Sequence, residues 1–132
     1  IVARLDTRIS QIMRWQVERG EGVQVMRYGV GGEYQPHFDY FDPNEPGGVA
    51  CMREGGQRIA TLIMYLNDVE GGGETVFPRV DFSYVPRKGQ ALYFEYVSSE
   101  GFLDPLSLHG GSPVTHGEKW IVTKWMRERL FP

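Results

Sequence analysis

From residue 22 onward the sequence consists of short β-prone segments separated by turns rich in glycine and proline, and this pattern restricts the fold more than any other feature. There are roughly seven or eight such segments. One of them, RIATLIMYLND (58–68), is almost entirely apolar, which is typical of a strand buried on both faces. Short strands at this spacing predict a single β-sandwich or small barrel without internal repeats.

One helix precedes the strands. Its apolar residues recur at helical spacing: Val2, Leu5, Ile9, Ile12 and Met13. This pattern predicts an amphipathic helix over about residues 2–18. We expect it to end at the glycine-containing break at residues 20–22.

One segment after the second β-prone run carries no periodic pattern. Residues 42–56, DPNEPGGVACMREGG, contain two prolines and four glycines. We predict a mobile loop here. Loops of this length often work as lids over a binding site.

Composition narrows the class of protein. A chain of 132 residues fits one domain with its own core, and a net charge of −3 gives no electrostatic reason to expect a nucleic acid partner. The only cysteine is Cys51, which excludes an internal disulfide and suits a reducing compartment, so we expect a cytoplasmic location.

No run is long and apolar enough for a bilayer, and the start, IVARLDTRIS, does not resemble a signal peptide. Because the chain lacks an initial Met, we expect its N-terminus to be incomplete.

The stretch YQPHFDYF (34–41) contains a candidate metal site. Residues two apart in a strand share a face, so His37 and Asp39 would project side by side. Two histidines and one carboxylate with open positions opposite form the facial triad of non-haem Fe(II) oxygenases. The third ligand would then be His109 or His116, the other two histidines. Taken alone, the pair favours the other interpretation, an ordinary strand in which Asp39 contacts a cation and His37 has no metal.

A lysine in the last β-prone segment is a candidate binding group for a ligand at this metal site. In KWIVTKW, Lys119 shares a strand face with Ile121, Thr123 and Trp125. If that face is buried, the ammonium group requires an anion, because an unpaired buried charge is costly. The far carboxylate of a dicarboxylic keto acid bound to the metal would satisfy it. The alternative is a solvated face with Lys119 at an exposed edge.

At this point the motifs resemble a known family. In order they are Tyr28, Tyr34-x-x-His37-x-Asp39, GGQR-x-x-T, MYLND, GGET-x-FP, LHGG-x-PV and GEKW-x-x-TKW. Their order and local spacing, from about Glu21 to Arg129, resemble the prolyl 4-hydroxylase branch of the Fe(II)- and 2-oxoglutarate-dependent dioxygenases. The resemblance implies a mainly β, double-stranded β-helix fold (jelly-roll, cupin-like) with the N-terminal amphipathic helix packed on it, and one catalytic domain over residues 1–132.

The resemblance also implies a site. Fe(II) would be held by His37, Asp39 and His109, with no further catalytic residue, while His116 would lie at the surface. The 2-oxoglutarate pocket would be formed by Lys119, Tyr28, Thr61, Thr123 and Trp125, with Lys119 and Tyr28 at the C5 carboxylate. O₂ would be the second co-substrate and L-ascorbate the reductant.

The substrate implied is a proline-containing peptide or protein, hydroxylated at proline C4 with succinate and CO₂ as co-products. Tyr34 matches an aromatic position that meets the peptide in relatives, and loop 42–56 matches a loop that closes over it. Glu21 and Arg58 match recurring family positions and are further candidates for substrate contact, but charged residues near strand ends are more often structural. We also expect Tyr65, Tyr93 and Phe94 to line the pocket or to fill the core. Ser107-Leu108 replaces the bulky group that often precedes the distal histidine, and we expect this to alter the peptide groove and not the iron chemistry.

Three alternatives remain open on the sequence. The chain could hydroxylate a free amino acid or a residue other than proline. It could be a zinc or manganese hydrolase or isomerase on a cupin-like barrel with the same ligands, in which case Lys119 and Tyr28 would be free to vary. It could also be a peptide-binding module without activity. No membrane partner is expected, and the oligomeric state is unknown.

Overall fold

The computed structural model describes residues 1–132 and contains ten strands and two α-helices. The helical elements are α1 (Val2–Met13), a 3₁₀ turn (Val17–Arg19), α2 (Pro46–Cys51) and a second 3₁₀ turn (Pro105–Ser107). The strands are β1 (Gln24–Tyr28), β2 (Tyr34–His37), β3 (Arg58–Tyr65), β4 (Gly71–Gly72), β5 (Thr75–Phe77), β6 (Phe82–Tyr84), β7 (Ala91–Glu95), β8 (His109–Gly111), β9 (Val114–His116) and β10 (Lys119–Arg127).

The strands form two four-stranded antiparallel sheets and one small ribbon. The larger sheet has the order β1-β10-β3-β7, the smaller has β2-β8-β5-β6, and β4 pairs with β9. Residues from both four-stranded sheets line one cavity between them. This is the predicted double-stranded β-helix, in which strand neighbours in a sheet come from distant parts of the sequence.

The central strands β3 and β10 of the larger sheet are buried on both faces, as the apolar run 58–68 predicts for β3. On the outer face, Leu62 and Met126 pack with Ile9 and Met13 of α1. On the inner face, Ile63, Tyr65 and Ile121 form a second cluster beside the cavity. The sheet therefore supports the helix on one side and the site on the other.

The helix is shorter than the prediction of residues 2–18. It ends at Met13, because Arg14 adopts a left-handed conformation (φ 60°), and the Ser10 hydroxyl donates to the Trp15 carbonyl oxygen. The chain then makes the separate 3₁₀ turn. None of the helices is long and apolar enough to cross a bilayer.

Two further elements escaped the sequence analysis. α2 lies inside the segment predicted as loop 42–56, and it begins with Pro46, whose fixed φ suits the first helical turn. Glycine is a poor helix former, so this composition carries no helix signal. At Gly48 the glycine is nonetheless required, because a Cβ there would lie 1.9 Å from the Asp42 carbonyl oxygen. Strand β4 consists of two glycines, a composition that carries no strand signal.

Candidate metal centre

The three predicted metal ligands meet between β2 and β8. These strands are antiparallel neighbours, and His37 lies directly opposite His109. Asp39 follows two residues after β2 ends, so it reaches the site from the turn and not from the strand predicted to carry it. Its Oδ1 lies 3.1 Å from His37 Nε2 and 3.3 Å from His109 Nε2. His116, by contrast, is exposed on β9 and lies outside the cluster.

Backbone carbonyl groups orient both imidazoles. His37 Nδ1 lies 2.8 Å from the Gln35 carbonyl oxygen, and His109 Nδ1 lies 2.7 Å from that of Ser107. Because a carbonyl oxygen only accepts, each Nδ1–H donates to the carbonyl group, and each Nε2 faces Asp39. This second hydrogen bond is the usual arrangement at metal-binding histidines.

Asp39 is buried and held as a carboxylate. Its Oδ2 accepts hydrogen bonds from Thr61 Oγ1 at 2.7 Å and Trp125 Nε1 at 3.2 Å, which leaves Oδ1 facing the histidines. Burial alone would raise the pKa of this carboxyl, but hydrogen bonds from His109, His37 and Thr61 hold the pKa well below its usual range. The group is therefore ionised at any physiological pH.

These donors fit a divalent metal ion. Two imidazole nitrogens and one carboxylate oxygen lie within 4.8 Å of one another. For metal–ligand bonds of about 2.1 Å at right angles, neighbouring donors would be about 3 Å apart, which matches the two measured distances. Burial would lower the pKa of His109, yet Asp39 raises it, so the electrostatics around Nε2 favour a cation. A facial set of this type suits Fe(II).

The metal centre opens into a cavity between the two sheets. Lys119 lies in its wall with 5% of its surface exposed, and the structure gives its Nζ neither an ion pair nor a hydrogen bond. Burial lowers the pKa of this lysine to about 8, and Glu74 opposes that shift only in part. A Cβ at Gly111, two residues after His109, would lie 3.2 Å from Nζ, so glycine leaves room for the ammonium group.

The structure places the other predicted 2-oxoglutarate residues in the wall of the same cavity. Tyr28 lies opposite Lys119 in the β1–β10 ladder, and the Lys119 Nζ is 5.4 Å from the centre of its ring. Thr123 also lines the cavity. Thr61 and Trp125 line it as well, but both donate hydrogen bonds to Asp39. Sequence reasoning did not indicate this contact with the metal ligand.

Aromatic residues surround His109. The rings of Phe77 and Phe94 lie 5.2 Å and 4.7 Å from its imidazole. Two other aromatic residues predicted to line the pocket or to fill the core have different positions. Tyr65 is buried, and its hydroxyl forms a hydrogen bond with the Thr75 hydroxyl. Tyr93 lies outside the cavity, and its hydroxyl accepts a hydrogen bond from Trp15 Nε1.

Tyr96 was missed by the sequence analysis. The Thr61 hydroxyl uses its proton on Asp39, so the buried Tyr96 hydroxyl donates to Thr61 at 2.8 Å. Its place at the end of an apolar strand gave no sign of a polar role.

The three residues predicted to contact substrate differ in their surroundings. Tyr34 is 44% exposed, and its ring lies 4.0 Å from that of His37. Glu21 and Arg58 line a groove beside the metal centre, but they form an ion pair with each other. Arg58 Nε lies 2.7 Å from Glu21 Oε2, and Arg58 Nη2 lies 3.0 Å from Glu21 Oε1. Tyr34 is therefore the most accessible of the three.

A comparison with protein families agrees with this geometry. Residues 23–127 match the sequence model of the 2OG-Fe(II) oxygenase superfamily. The chain belongs to this superfamily. A 2OG-Fe(II) oxygenase uses Fe(II), 2-oxoglutarate and O₂, which accords with the histidine–aspartate cluster and the unpaired lysine in one cavity.

Individual relatives of this chain are named prolyl hydroxylases. Probable prolyl 4-hydroxylase 10 of Arabidopsis thaliana is 42% identical over 145 residues, which cover 96% of this chain and 48% of the relative. Prolyl 4-hydroxylase subunit alpha-1 of Homo sapiens is 40% identical over 129 residues, or 98% of this chain and 24% of the relative. The chain thus spans about half the length of the plant relative and about a quarter of the human one.

A solved structure is also similar. The viral collagen prolyl hydroxylase of Paramecium bursaria Chlorella virus-1, in complex with 2OG, superposes with a TM-score of 0.79 at 33% sequence identity. The match covers 96% of this chain and 72% of the viral one.

Proposed function

We propose that residues 1–132 form the catalytic domain of a prolyl 4-hydroxylase that converts prolyl residues of a peptide or protein to 4-hydroxyproline. The co-substrates are 2-oxoglutarate and O₂, and the co-products are succinate and CO₂. The observation that carries the proposal is the presence, in one cavity, of a two-histidine, one-aspartate cluster and a buried lysine without an anion. The names of the relatives support the choice of proline.

Lys119 anchors the co-substrate in this proposal. A buried ammonium group without a partner is unfavourable, and a carboxylate entering the cavity relieves that cost while it gains a charge-assisted hydrogen bond. The far carboxylate of 2-oxoglutarate is such a group. Tyr28, opposite Lys119 on the neighbouring strand, provides a second donor to the same carboxylate.

The metal site performs the oxidation. Fe(II), when held by His37, Asp39 and His109, supplies the O₂ activation that couples oxidative decarboxylation of 2-oxoglutarate to hydroxylation of the prolyl C4–H bond. Thr61 and Trp125 fix the Asp39 carboxylate through Oδ2. Phe77 and Phe94 pack against His109 and exclude water from that side of the site.

The peptide reaches the centre from the side of Tyr34. This tyrosine is exposed and stacks obliquely on His37, so a prolyl ring resting on it would be adjacent to a metal ligand. Glu21 and Arg58 line the neighbouring groove.

The proposal is tested by succinate formation. The protein is loaded with Fe(II) without oxygen, supplied with 2-oxoglutarate and L-ascorbate, and exposed to air with and without proline-rich peptides. We expect peptide-stimulated succinate and peptides that have gained one oxygen atom, recovered as 4-hydroxyproline after hydrolysis. His109→Ala should abolish both products, and Lys119→Ala should restore them only at high 2-oxoglutarate.

His116→Ala is the matched control, because this histidine is exposed and lies outside the cluster. It should keep full activity. Tight retention of Zn(II) with no succinate under any condition would contradict the proposal. Succinate stimulated only by free amino acids would keep the oxygenase and refute the prolyl peptide as substrate.

A further inference from the structure

A second charged cluster lies beside the metal centre. Its core is the Glu21 carboxylate, whose Oε2 lies 2.7 Å from Arg58 Nε and 2.8 Å from Arg127 Nε. The side chains of Glu21, Arg58 and Arg127 are 15%, 21% and 6% exposed. Glu21 thus accepts from two guanidinium groups inside the protein, and little of its carboxylate is free for an external ligand.

The cluster is connected to Asp39 through an aromatic stack. The Arg58 guanidinium lies 4.2 Å from the centre of the Trp125 ring, and the Trp125 indole N–H donates to Asp39 Oδ2. Arg58 Nη1 also approaches the Asp39 carbonyl oxygen, at 3.5 Å. One guanidinium therefore touches both the residue that orients the metal ligand and the backbone of that ligand.

A third contact reaches the same short segment. The Phe41 ring, two residues after Asp39, has its centre 4.8 Å from each of the two guanidinium groups. Planar guanidinium groups stack well on aromatic faces, so both arginines contact this ring. The turn that carries Asp39 beyond β2 thus rests on the cluster that Glu21 holds together.

We propose that Glu21 is a positioning residue for the metal ligand Asp39, acting through Arg58 and Trp125. The inference rests on the metal site of the proposed function but not on its substrate. Glu21 fixes the Arg58 plane, Arg58 fixes the Trp125 indole, and the indole N–H fixes the Asp39 oxygen that does not face the histidines. Loss of Glu21 releases the stack and leaves two guanidinium charges near the metal site without their counter-ion.

Metal affinity tests the proposal without turnover. Binding of Co(II) to the metal-free protein is measured by calorimetry, and the coordination geometry is followed by the visible absorption of bound Co(II). We expect Glu21→Gln to weaken Co(II) binding by about tenfold, the lower end of the range for residues behind a ligand, and to change the spectrum. Glu118→Gln is the control, because it breaks the exposed ion pair with Arg27 and should shift affinity by less than about twofold.

A double-mutant cycle tests the route. Trp125→Phe keeps an aromatic ring but removes the N–H that reaches Asp39. If Glu21 acts through Trp125, then Glu21→Gln added to Trp125→Phe should weaken Co(II) binding by less than about twofold. A full tenfold further loss in that background would overturn the route through Trp125.

Two other outcomes bear on the proposal. Unchanged Co(II) affinity in Glu21→Gln, with a higher KM for a prolyl peptide, would overturn it and assign Glu21 to the substrate groove. If Glu21→Gln does not fold, Glu21→Asp takes its place, since it keeps the charge but is too short to reach both arginines. Unchanged Co(II) affinity and spectrum in that variant would overturn the proposal equally.

Discussion

At the scale of single residues, two lysines of β10 show how one strand treats two buried charges in opposite ways. Lys124 is 2% exposed, and its Nζ lies 2.9 Å from Asp6 Oδ1 on α1. Lys119, five residues earlier on the other face, is 5% exposed and forms no ion pair. Lys124 is thus part of the folded scaffold, whereas Lys119 lowers stability until a ligand supplies a carboxylate.

The cost of Lys119 predicts a variant that is more stable and less functional. Burial lowers the pKa from 10.5 to about 8, which corresponds to about 3 kcal/mol at most. We expect Lys119→Met to raise the free energy of unfolding by up to about 3 kcal/mol at pH 7 and to weaken 2-oxoglutarate binding. Urea unfolding and calorimetric titration measure the two effects.

The sign of the pH dependence follows from the lowered pKa. Below pH 8 the folded protein bears the full cost of the buried ammonium group. Between about pH 8 and 10.5 the folded state releases this proton while the unfolded state retains it, so the cost disappears and the advantage of Lys119→Met shrinks. The exposed Lys88→Met should show neither effect. A Lys119→Met protein no more stable than the parent at pH 7 would refute the prediction.

At the scale of elements, α1 covers the outer face of the larger sheet. Ile9 and Met13 pack on Leu62 and Met126, and the Asp6–Lys124 ion pair fixes the helix in the same place. The inner face of these same strands carries Thr61, which bonds Asp39. Packing of α1 therefore keeps rigid the sheet from which the metal ligand is supported.

Truncation of the helix contact should destabilise the whole fold. Ile9 is 1% exposed, and we expect Ile9→Ala to lower the free energy of unfolding by about 2–4 kcal/mol, through lost burial and the cavity left behind. Ile12→Ala, 66% exposed on the same helix, should change it by less than about 0.5 kcal/mol. Equal losses in urea unfolding would show that α1 does not pack as described.

The segment 42–56 is fixed at one end by a single side chain. Arg127 Nη1 donates to the carbonyl oxygens of Cys51, Glu54 and Gly56, at 3.2, 2.8 and 2.6 Å. Gln57 holds the other end, since its side chain bonds both backbone groups of Phe41. These bonds restrain the ends of the segment, and whether its exposed middle closes over a peptide stays a prediction.

Release of this end should expose the segment to protease. Arg53 lies in this segment and is a trypsin cleavage site. We expect Arg127→Gln to accelerate native-state tryptic cleavage after Arg53 by about tenfold or more. The reason is that each hydrogen bond from a charged donor contributes about 1.5 kcal/mol or more. Cleavage is followed by mass spectrometry. Arg129→Gln removes an exposed guanidinium instead and should cleave at the parental rate. A parental rate for Arg127→Gln as well would mean that these bonds do not restrain the segment.

At the scale of the whole molecule, the metal centre joins the two sheets. His37 and His109 belong to the smaller sheet, while Asp39 is bonded by Thr61 and Trp125 of the larger one. A metal ion bound to all three ligands therefore connects both sheets and binds only the folded state.

Metal binding should accordingly raise the melting temperature. At a free Mn(II) concentration about a hundredfold above Kd, we expect a gain of about 2.7 kcal/mol, or a Tm increase of about 10 °C. Thermal unfolding of metal-free and Mn(II)-loaded protein measures it. His109→Ala should abolish the shift and the exposed His116→Ala should retain it. The reverse result would assign the third ligand to His116.

The sequence alone determined the features that depend on local patterns. The strands β3 and β10 follow the apolar segments within a few residues, because burial imposes a repeat that the side chains must match. The order His37, Asp39, His109 and Lys119 was also readable, since the family's spacing restricts these positions, although Asp39 lies beyond the strand on which alternation would place it. The end of α1 at Met13 was not, because it depends on the left-handed Arg14.

Only the tertiary structure decided what surrounds the metal ligands. Thr61 and Trp125 are 22 and 86 residues from Asp39, and Arg127 is 106 residues from Glu21. Contacts over such distances depend on sheet register and strand order, which place β3 beside β10 and β10 beside β1. A sequence pattern reports whether a residue is buried, but the partner of a buried polar group is fixed by the fold, because its hydrogen-bonding groups must be satisfied by whatever lies opposite.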